Sequence, residues 1–176
     1  VHLAKSFGAE VPFLRSSKNS SDYSSTYDAI NEVISKLEQD NQYYDIISCI
    51  YPCNPFISKE ILLKSFSILK KDNPYSVFPA VSYGHPIQRG FYLDGNLNPI
   101  FNSLNFVNQR TQDLDSFYHD CGMFYTIKTD NLKNNKTLFN AQSRVIVIDK
   151  NRVQDIDDEE DWKLAEIKYK FFNESL

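Results

Sequence analysis

The stretch YDIISCIYP at positions 44–52 is followed by SKEILLKSFSILKK at 58–71 and YSVFPAVSY at 75–83. The outer two segments are apolar runs of strand length, and the middle one carries apolar residues at the spacing of a helix face. A near-continuous apolar run indicates a central strand that is buried on both faces, as in a parallel sheet. Strand, crossover helix and strand together predict an α/β domain with a doubly wound, Rossmann-like, mostly parallel sheet.

The residues upstream extend the alternation of helix and strand. VHLAKSFGAEVPFL at 1–14 predicts the last turns of a helix, ended by Gly8 in a left-handed conformation, and then a strand at 11–14. A serine-rich loop at 16–25 precedes a helix for which Ser24, Ser25 or Thr26 can be the cap. Because the chain begins without Met and inside a helix, we expect it to be a piece of a longer protein that lacks its N-terminal part.

The downstream half of the sequence does not continue this alternation of helix and strand. PIQRGFYLDGNLNPIF at 86–101 contains Asp94-Gly95, a hairpin signal, and we expect the hairpin to leave the main sheet as an arm. MFYTIK at 123–128 and SRVIVID at 143–149 predict strands, and a closing helix starts at Asp158. The whole chain, 1–176, is expected to be one α/β domain, with 84–117 as an insert.

Composition limits the classes of function. The chain has 176 residues, 41% of them hydrophobic, and a net charge of −4, which does not favour binding to nucleic acid or to an anionic membrane surface. The sequence contains no run of about 18 apolar residues, the minimum for a membrane span. Its three cysteines (Cys49, Cys53 and Cys121) lack zinc-site spacing and predict reduced thiols in a cytoplasmic protein.

Six acidic residues fill seven positions at 155–161, in VQDIDDEEDWKLAE. Asp155 and Asp157 alternate by two, so in an extended segment both side chains point the same way, and a shared hard cation such as Mg²⁺ relieves their repulsion. The alternative is helix capping, with Asp158 as the cap and the acids of 159–161 favoured by the helix dipole. Capping explains 158–161 and leaves Asp155 and Asp157 unexplained.

Polar loops supply the basic candidates. Arg89 and Arg110 each have glutamine neighbours, and an arginine fork pairs well with carboxylate or phosphate, although either arginine alone is also typical of a solvated surface. His119 and Asp120, in SFYHDCG, could form an acid–base pair, and the alternative is a structural histidine.

Several of these stretches occur in an order that resembles the acylneuraminate cytidylyltransferases, and within them the branch that activates pseudaminic acid. The motifs that carry the resemblance are AKSFGAEVPFLR, DYSSTYDAINEVISKLE, IYPCNPFISKE, VFPAVSYGHPIQR, QRTQDLDSFYHDCGMFY and VQDIDDEEDWKLAE. The resemblance covers essentially the whole chain and implies a fold of the nucleotide-diphospho-sugar transferase type. It also implies transfer of CMP from CTP to the anomeric hydroxyl of a nine-carbon sugar acid, with release of pyrophosphate.

The same resemblance implies roles for individual residues. Asp155 and Asp157 match the Mg²⁺-binding pair, and with Arg110 they are the expected catalytic residues. Three residues match positions that contact the nucleotide, and these are Arg15, Ser24 and Thr26. The expected sugar-binding residues are Tyr51, Pro52, Asn54, Gln88, Arg89, Gln112, Tyr118, His119 and Asp120. The hairpin in 84–117 matches a dimerisation arm, so a homodimer is expected.

Departures from the family pattern leave alternatives open. The glycine, arginine and lysine loop that wraps the CTP phosphates in this family has no counterpart in the sequence, so we expect residues 1–176 alone to be inactive. Cys53 stands where relatives usually carry threonine, and Gln88 stands where sialic-acid enzymes carry lysine, which favours a substrate other than ordinary sialic acid. One alternative is a catalytically inactive, truncated paralogue that acts as a binding or oligomerisation module. A glycosyltransferase is another, although its paired aspartates normally lie mid-chain.

Overall fold

A computed structural model of the chain describes residues 1–21 and 23–173. In that part of the chain the helices, numbered in order, are α1 (His2–Ser6), α2 (Thr26–Gln39), α3 (Lys59–Asp72), α4 (Thr129–Asn135) and α5 (Glu159–Asn173). The strands are β1 (Ile46–Ile50), β2 (Ser76–Ser82), β3 (Phe91–Leu93), β4 (Pro99–Phe101), β5 (Tyr118–Asp120), β6 (Phe124–Lys128) and β7 (Arg144–Val147). The predicted α/β class is confirmed.

Five of these strands form the main sheet. Its order is β1-β6-β2-β5, and β7 pairs with β2. β6 is antiparallel to both β1 and β2, β5 is antiparallel to β2, and β7 is parallel to β2. It follows that β1, β2 and β7 all run in one direction, with their carboxyl ends at the same edge of the sheet.

The expectation of a mostly parallel sheet is wrong. Among the described strand pairings of the main sheet, only β2–β7 is parallel. The crossover through α3 does return β2 in the direction of β1, as the sequence predicts. The two strands are not neighbours, however, because β6 comes back from the insert in the opposite direction and fills the space between them. β1 is therefore a half-buried edge strand of the described sheet, and not the central strand that its apolar run predicts.

The helices begin where the sequence predicts caps. Ser25 caps α2, and its side chain and that of Asp28 form a reciprocal capping box. Ser58 caps α3 by accepting the amide proton of Ile61. Gly8 follows α1 with φ +87°, as predicted. The strand expected at 11–14 is wrong, because the segment pairs with no described strand and is held at Leu14 by a hydrogen bond from Lys36.

The core occupies both faces of the sheet, with β6 in the middle. On one face Phe124 packs with Met123, Phe56 of the loop before α3 and Ala165 of α5. On the other face Ile127 packs with residues of α2 and α4. Burying each large apolar side chain contributes about 1.5–3 kcal/mol. Helices on both faces confirm the doubly wound layering and leave the strand ends open to carry a site.

The predicted hairpin is present as a separate two-stranded sheet of β3 and β4. Its turn differs from the expectation. The carboxylate of Asp94 accepts the amide protons of Asn96 and Asn98, and the left-handed residue is Leu97, with φ +63°, rather than Gly95. An aspartate turn therefore sets this loop, in place of a two-residue Asp-Gly turn.

Within the described residues, no helix combines the length and the apolar character that crossing a bilayer requires.

Candidate functional site

The carboxyl-end edge of the sheet gathers most of the predicted site residues. The chain leaves β1 at Tyr51, leaves β2 at Tyr83 and leaves β7 toward the acidic residues at 155–161. Because these three strands are parallel to one another, their carboxyl ends meet at one edge, where open α/β sheets bind ligands. The start of β6 lies at the same edge, since the amide of Tyr51 donates to the carbonyl of Met123 over 2.9 Å.

A groove between α2 and β1 brings together the residues expected to contact the nucleotide. It has a volume of about 550 Å³, and its lining includes the polar residues Arg15, Ser24, Thr26 and Tyr51, together with Pro52. The apolar lining includes Ala29, Ile30, Val33 and Ile47. Arg15, Ser24 and Thr26, which were expected to contact the nucleotide, thus line the same groove as two residues that were expected to bind the sugar, Tyr51 and Pro52.

Four side chains, which we term the tyrosine network, connect this groove to the rest of the edge: Thr26, Tyr51, Tyr125 and Asp120. The hydroxyls of Thr26 and Tyr51 lie 2.9 Å apart, and the rings of Tyr51 and Tyr125 have centroids 5.6 Å apart. The hydroxyl of Tyr125 donates to Oδ2 of Asp120, and the amide of Gly122 donates to Oδ1 over 2.9 Å. Burial and the Asp120 carboxylate raise the pKa of Tyr125 well above its ordinary value.

Three buried side-chain atoms lack a hydrogen-bond partner in the part of the chain that the structure describes. They are Oδ1 of Asn54, Oε1 of Gln88 and Nε of Arg89. All three residues belong to the set expected to bind the sugar. An unpaired buried polar atom costs about 1–3 kcal/mol, so their coincidence with the expected sugar site points to a ligand or to water that satisfies them.

Gln88 and Arg89 also organise the insert. The side-chain amide of Gln88 donates to the carbonyl of Asp115 over 2.8 Å, and the guanidinium of Arg89 donates to the carbonyl of Gln109. These bonds tie the turn after β2 to the loop at 109–115. Asn54 makes a similar tie, because its amide donates to the carbonyl of Gly122 over 3.4 Å.

Arg110 forms an ion pair with Asp113, a residue of its own loop. Its Nε donates to Oδ2 of Asp113 over 2.8 Å, and a second nitrogen donates to Oδ1 over 3.2 Å. The ion pair is solvent-exposed, with the Arg110 side chain 71% accessible, and such pairs contribute little to stability. Among the described residues, Arg110 and the exposed Gln112 make no hydrogen bond to the tyrosine network. The carboxylate of Asp113 thus occupies the arginine fork.

The idea of a His119–Asp120 acid–base pair is wrong. Nδ1 of His119 contacts the main-chain carbonyl of Asp120 at 2.8 Å, and its ring packs against Tyr83. The carboxylate of Asp120 is instead engaged by Tyr125 and Gly122. Both Tyr118 and His119 are exposed on β5.

The acidic residues at 155–161, the acidic segment, divide into two groups. Oδ1 of Asp158 accepts the amides of Glu160 and Asp161, and the carboxylate of Asp161 accepts the amide of Asp157. Capping therefore accounts for Asp158 and Asp161. Asp155 and Asp157 are exposed, and their carboxylates accept no hydrogen bond from any described residue.

The carboxylates of Asp155 and Asp157 are of the ligand type that Mg²⁺ prefers. The described residues contain no group of three or more histidine, cysteine or acidic side chains arranged to hold a metal. Mg²⁺ does not require one, since it usually binds through one or two carboxylates and completes its shell with water and substrate phosphates. The donor set of Asp155 and Asp157 therefore fits this ion.

The cysteines carry no sign of nucleophilic chemistry. All three are free thiols. Burial, followed by the charge of Asp120, raises the pKa of Cys121 to about 12, and its sulfhydryl donates to the carbonyl of Pro79. Burial also raises the pKa of Cys49. Thiols with raised pKa values are poor nucleophiles.

Sequence reasoning missed Tyr125. It lies inside the apolar run MFYTIK, where a tyrosine has the same spacing as a core residue, and the sequence offers no signal for the contact with Asp120. It also missed β5 and α4, which are short.

Comparison with a solved structure defines the class of the fold. CMP:2-keto-3-deoxy-manno-octonic acid synthetase, solved in complex with CTP, superposes with a TM-score of 0.57 over 98% of this chain and 76% of that chain, at 12% identity. At this identity the likeness shows only that the two chains share a fold.

Sequence comparisons define the family. The cytidylyltransferase family profile matches residues 1–165. Two Campylobacter jejuni proteins named pseudaminic acid cytidylyltransferase are 34% and 33% identical over 175 residues, which are 99% of this chain and 75% of each relative. A Helicobacter pylori protein, named pseudaminic acid cytidylyltransferase and UDP-2,4-diacetamido-2,4,6-trideoxy-beta-L-altropyranose hydrolase, is 29% identical over 89% of this chain and 30% of that protein. The chain belongs to the cytidylyltransferase family.

Proposed function

We propose that the protein transfers CMP from CTP to the anomeric hydroxyl of a nine-carbon sugar acid of the pseudaminic or sialic-like type, in the cytoplasm. In this reaction the anomeric hydroxyl loses its proton to solvent and its oxygen forms a bond to the α-phosphorus. The bond between the α-phosphorus and the oxygen that bridges to the β-phosphate breaks, and pyrophosphate leaves with that oxygen. The names of the two Campylobacter jejuni relatives support pseudaminic acid as the first candidate substrate. The observation that carries the proposal is that Asn54, Gln88 and Arg89, all expected to bind the sugar, each hold a buried side-chain atom without a hydrogen-bond partner among the described residues.

The nucleotide is assigned to the groove between α2 and β1. Arg15 supplies a positive charge there, and Ser24 and Thr26 supply hydroxyls beside it. A guanidinium suits phosphate because it offers several donors in a planar fork. The apolar remainder of the groove suits the face of a base or ribose, and this assignment accounts for both halves of the lining.

The sugar acid is assigned to the neighbouring residues at the ends of β1, β2 and β5. Asn54, Gln88 and Arg89 offer the unpartnered atoms, and Asp120 offers a carboxylate that is already fixed in place. Arg110 is the candidate for the carboxylate of the sugar acid, because its exposed fork already accommodates the carboxylate of Asp113. Gln112, Tyr118 and His119 are proposed as further polar contacts to the sugar acid.

Asp155 and Asp157 are the residues that would hold Mg²⁺. When bound, the ion supplies Lewis-acid neutralisation of charge on the triphosphate and the leaving pyrophosphate. The two residues contribute unpaired carboxylates on a segment that follows β7 to the same edge of the sheet.

A homodimer is proposed through the hairpin of β3 and β4. Its strands expose Phe91, Tyr92 and Leu93, and Leu97 at its tip is 76% accessible. Contiguous exposed apolar side chains of this kind mark association surfaces.

Pyrophosphate release tests the proposed reaction. The full-length natural protein is mixed with CTP and Mg²⁺, and with pseudaminic acid or N-acetylneuraminic acid in separate reactions. We expect release with at least one acid, faster with pseudaminic acid, and far less when ATP replaces CTP. Absence of release with both acids would contradict the proposal and favour the alternative of an inactive binding or oligomerisation module.

A further inference from the structure

Tyr125 lies at the centre of the candidate site. It is the last residue of the motif QRTQDLDSFYHDCGMFY, although the sequence predicted no role for it. It is 3% accessible, on the central strand β6. Its ring packs against Phe78, with centroids 5.6 Å apart, and is stacked on Phe139 at 5.9 Å. These contacts leave the ring little freedom, so its hydroxyl has a fixed position.

That hydroxyl is one of two groups that fix the carboxylate of Asp120. Tyr125 donates to Oδ2, and the amide of Gly122 donates to Oδ1 over 2.9 Å. Gly122 has φ +61°, a left-handed conformation that a glycine adopts without strain. A carboxylate held at both oxygens cannot rotate, and each oxygen keeps a lone pair for a further donor.

The ring of Tyr125 contacts the other half of the site. Its neighbour Tyr51 lies 5.6 Å away between centroids, and the hydroxyl of Tyr51 is 2.9 Å from that of Thr26 in the nucleotide groove. Tyr125 therefore contacts one residue assigned to the sugar acid through its hydroxyl and one at the nucleotide groove through its ring.

We propose that Tyr125 is a positioning residue that orients Asp120 for the sugar acid through its hydroxyl and orients Tyr51 beside the nucleotide through its ring. This inference rests on the proposed function. It assigns no chemical step to Tyr125. The burial of its hydroxyl and the adjacent carboxylate keep it protonated as a donor, consistent with its raised pKa.

The test compares two tyrosines that each lose only a buried hydroxyl. Tyr125→Phe keeps the ring contacts and removes the donor to Asp120. Tyr75→Phe is the matched control, because Tyr75 is 6% accessible and its hydroxyl donates to the carbonyls of Asn131 and Thr137, outside the candidate site. Both variants are made in the full-length protein and assayed by pyrophosphate release with each substrate varied in turn.

We expect Tyr125→Phe to raise the KM for the sugar acid about tenfold, with the KM for CTP changed by less than about twofold. Tyr75→Phe should leave both KM values within about twofold of the wild type, while both variants lower the Tm to a similar extent. Tyr51→Phe, which removes the contact with Thr26, should show the reverse pattern and raise the KM for CTP about fivefold.

The inference is overturned if Tyr125→Phe leaves the KM for the sugar acid unchanged, or if it changes both KM values equally. Should Tyr125→Phe fail to fold, Asp120→Asn is the second test. We expect Asp120→Asn to raise the KM for the sugar acid and to leave the KM for CTP unchanged. An unchanged KM for the sugar acid overturns the inference. Failure of the proposed function is a separate result, because the wild type itself would then release no pyrophosphate.

Discussion

The tyrosine network and the acidic segment lie at the same edge of the sheet and differ in how they are held. In the network, Tyr125 is buried, its hydroxyl donates a hydrogen bond to Asp120, and its ring packs against that of Tyr51. In the acidic segment, Asp155 and Asp157 are exposed, and their carboxylates have no partner among the described residues. One region is organised before any ligand arrives, while the other keeps two repelling charges in water.

Solvation explains the difference. A carboxylate can be buried only when hydrogen bonds or a cation replace its water, as Tyr125 and Gly122 do for Asp120. Nothing in the described chain does this for Asp155 and Asp157, so solvent must stabilise them until a cation does. The network should therefore govern substrate affinity, and the acidic segment should govern turnover.

The largest expected effect is on turnover, from Asp157→Asn. Removing one of two unpaired carboxylates should lower kcat at least ~10²-fold if Asp157 holds Mg²⁺, because the variant then loses most of the charge stabilisation. Pyrophosphate release at saturating CTP and sugar acid measures it.

Glu159→Gln is the control for that variant. Glu159 is an exposed acid in the first turn of α5, and its substitution removes the same charge two positions away. We expect its kcat to stay within about threefold of the wild type. A near-normal rate for Asp157→Asn would remove that residue from the mechanism and break the division between the two regions.

The sequence predicted the acidic segment better than the network. Alternation at 155 and 157, and the capping role of Asp158, follow from short-range rules, and both the cap and the free carboxylates are seen. The network depends on β6 lying between β1 and β2, a pairing between residues far apart in the chain. Local periodicity carries no information about which strands become neighbours, so it could not predict Tyr125 beside Tyr51.

The prediction of the fold from the sequence was limited in the same way. The elements α2, α3, β2 and β6 follow from apolar periodicity and serine caps, because these signals act within a few residues. The apolar run of β1 predicted burial on both faces, yet the described sheet leaves it at the edge. An apolar strand shows that one face needs covering and does not show which partner covers it.

A smaller effect, on affinity, is expected from Asn54→Ala. The side-chain oxygen of Asn54 is buried without a partner, and its amide donates to the carbonyl of Gly122. We expect the KM for the sugar acid to rise about fivefold while kcat changes by less than about twofold.

Asn131→Ala is the matched control for Asn54→Ala, since the amide of Asn131 also donates to a main-chain carbonyl, that of Tyr75. It should leave both KM values as in the wild type. If the two alanine variants behave alike, Asn54 acts only as a structural residue, and its assignment to the sugar acid is wrong.

Helix caps provide a further comparison on the nucleotide side. Ser25→Ala and Ser58→Ala each remove a cap and should each lower the free energy of unfolding by about 1 kcal/mol. Only Ser25 adjoins Ser24 and Thr26 in the groove, so only its substitution should raise the KM for CTP, by about twofold to threefold. Chemical denaturation and CTP titrations measure the two effects. An equal rise in KM for Ser58→Ala would show a global effect.

The smallest effect concerns Glu32, which anchors the loop leading to the nucleotide groove. Its carboxylate accepts hydrogen bonds from Ser16 and Asn19 and forms an ion pair with Lys36 at 2.7 Å. The contact with Lys36, followed by those with Ser16 and Asn19, lowers the pKa of Glu32 from 4.5 to about 2. The folded state therefore binds this proton less readily than the unfolded state.

Because its pKa is lowered on folding, Glu32 stabilises the protein fully above pH 4.5, and that contribution is lost as the pH falls toward about 2. Glu32→Gln cannot ionise, so it should be less stable than the wild type at neutral pH, and the difference should shrink across this interval. Urea denaturation at neutral pH and at several points between those two values measures it. Parallel stability curves for the two proteins would contradict the assignment, and would show that the loop beside the nucleotide groove is held by groups other than Glu32.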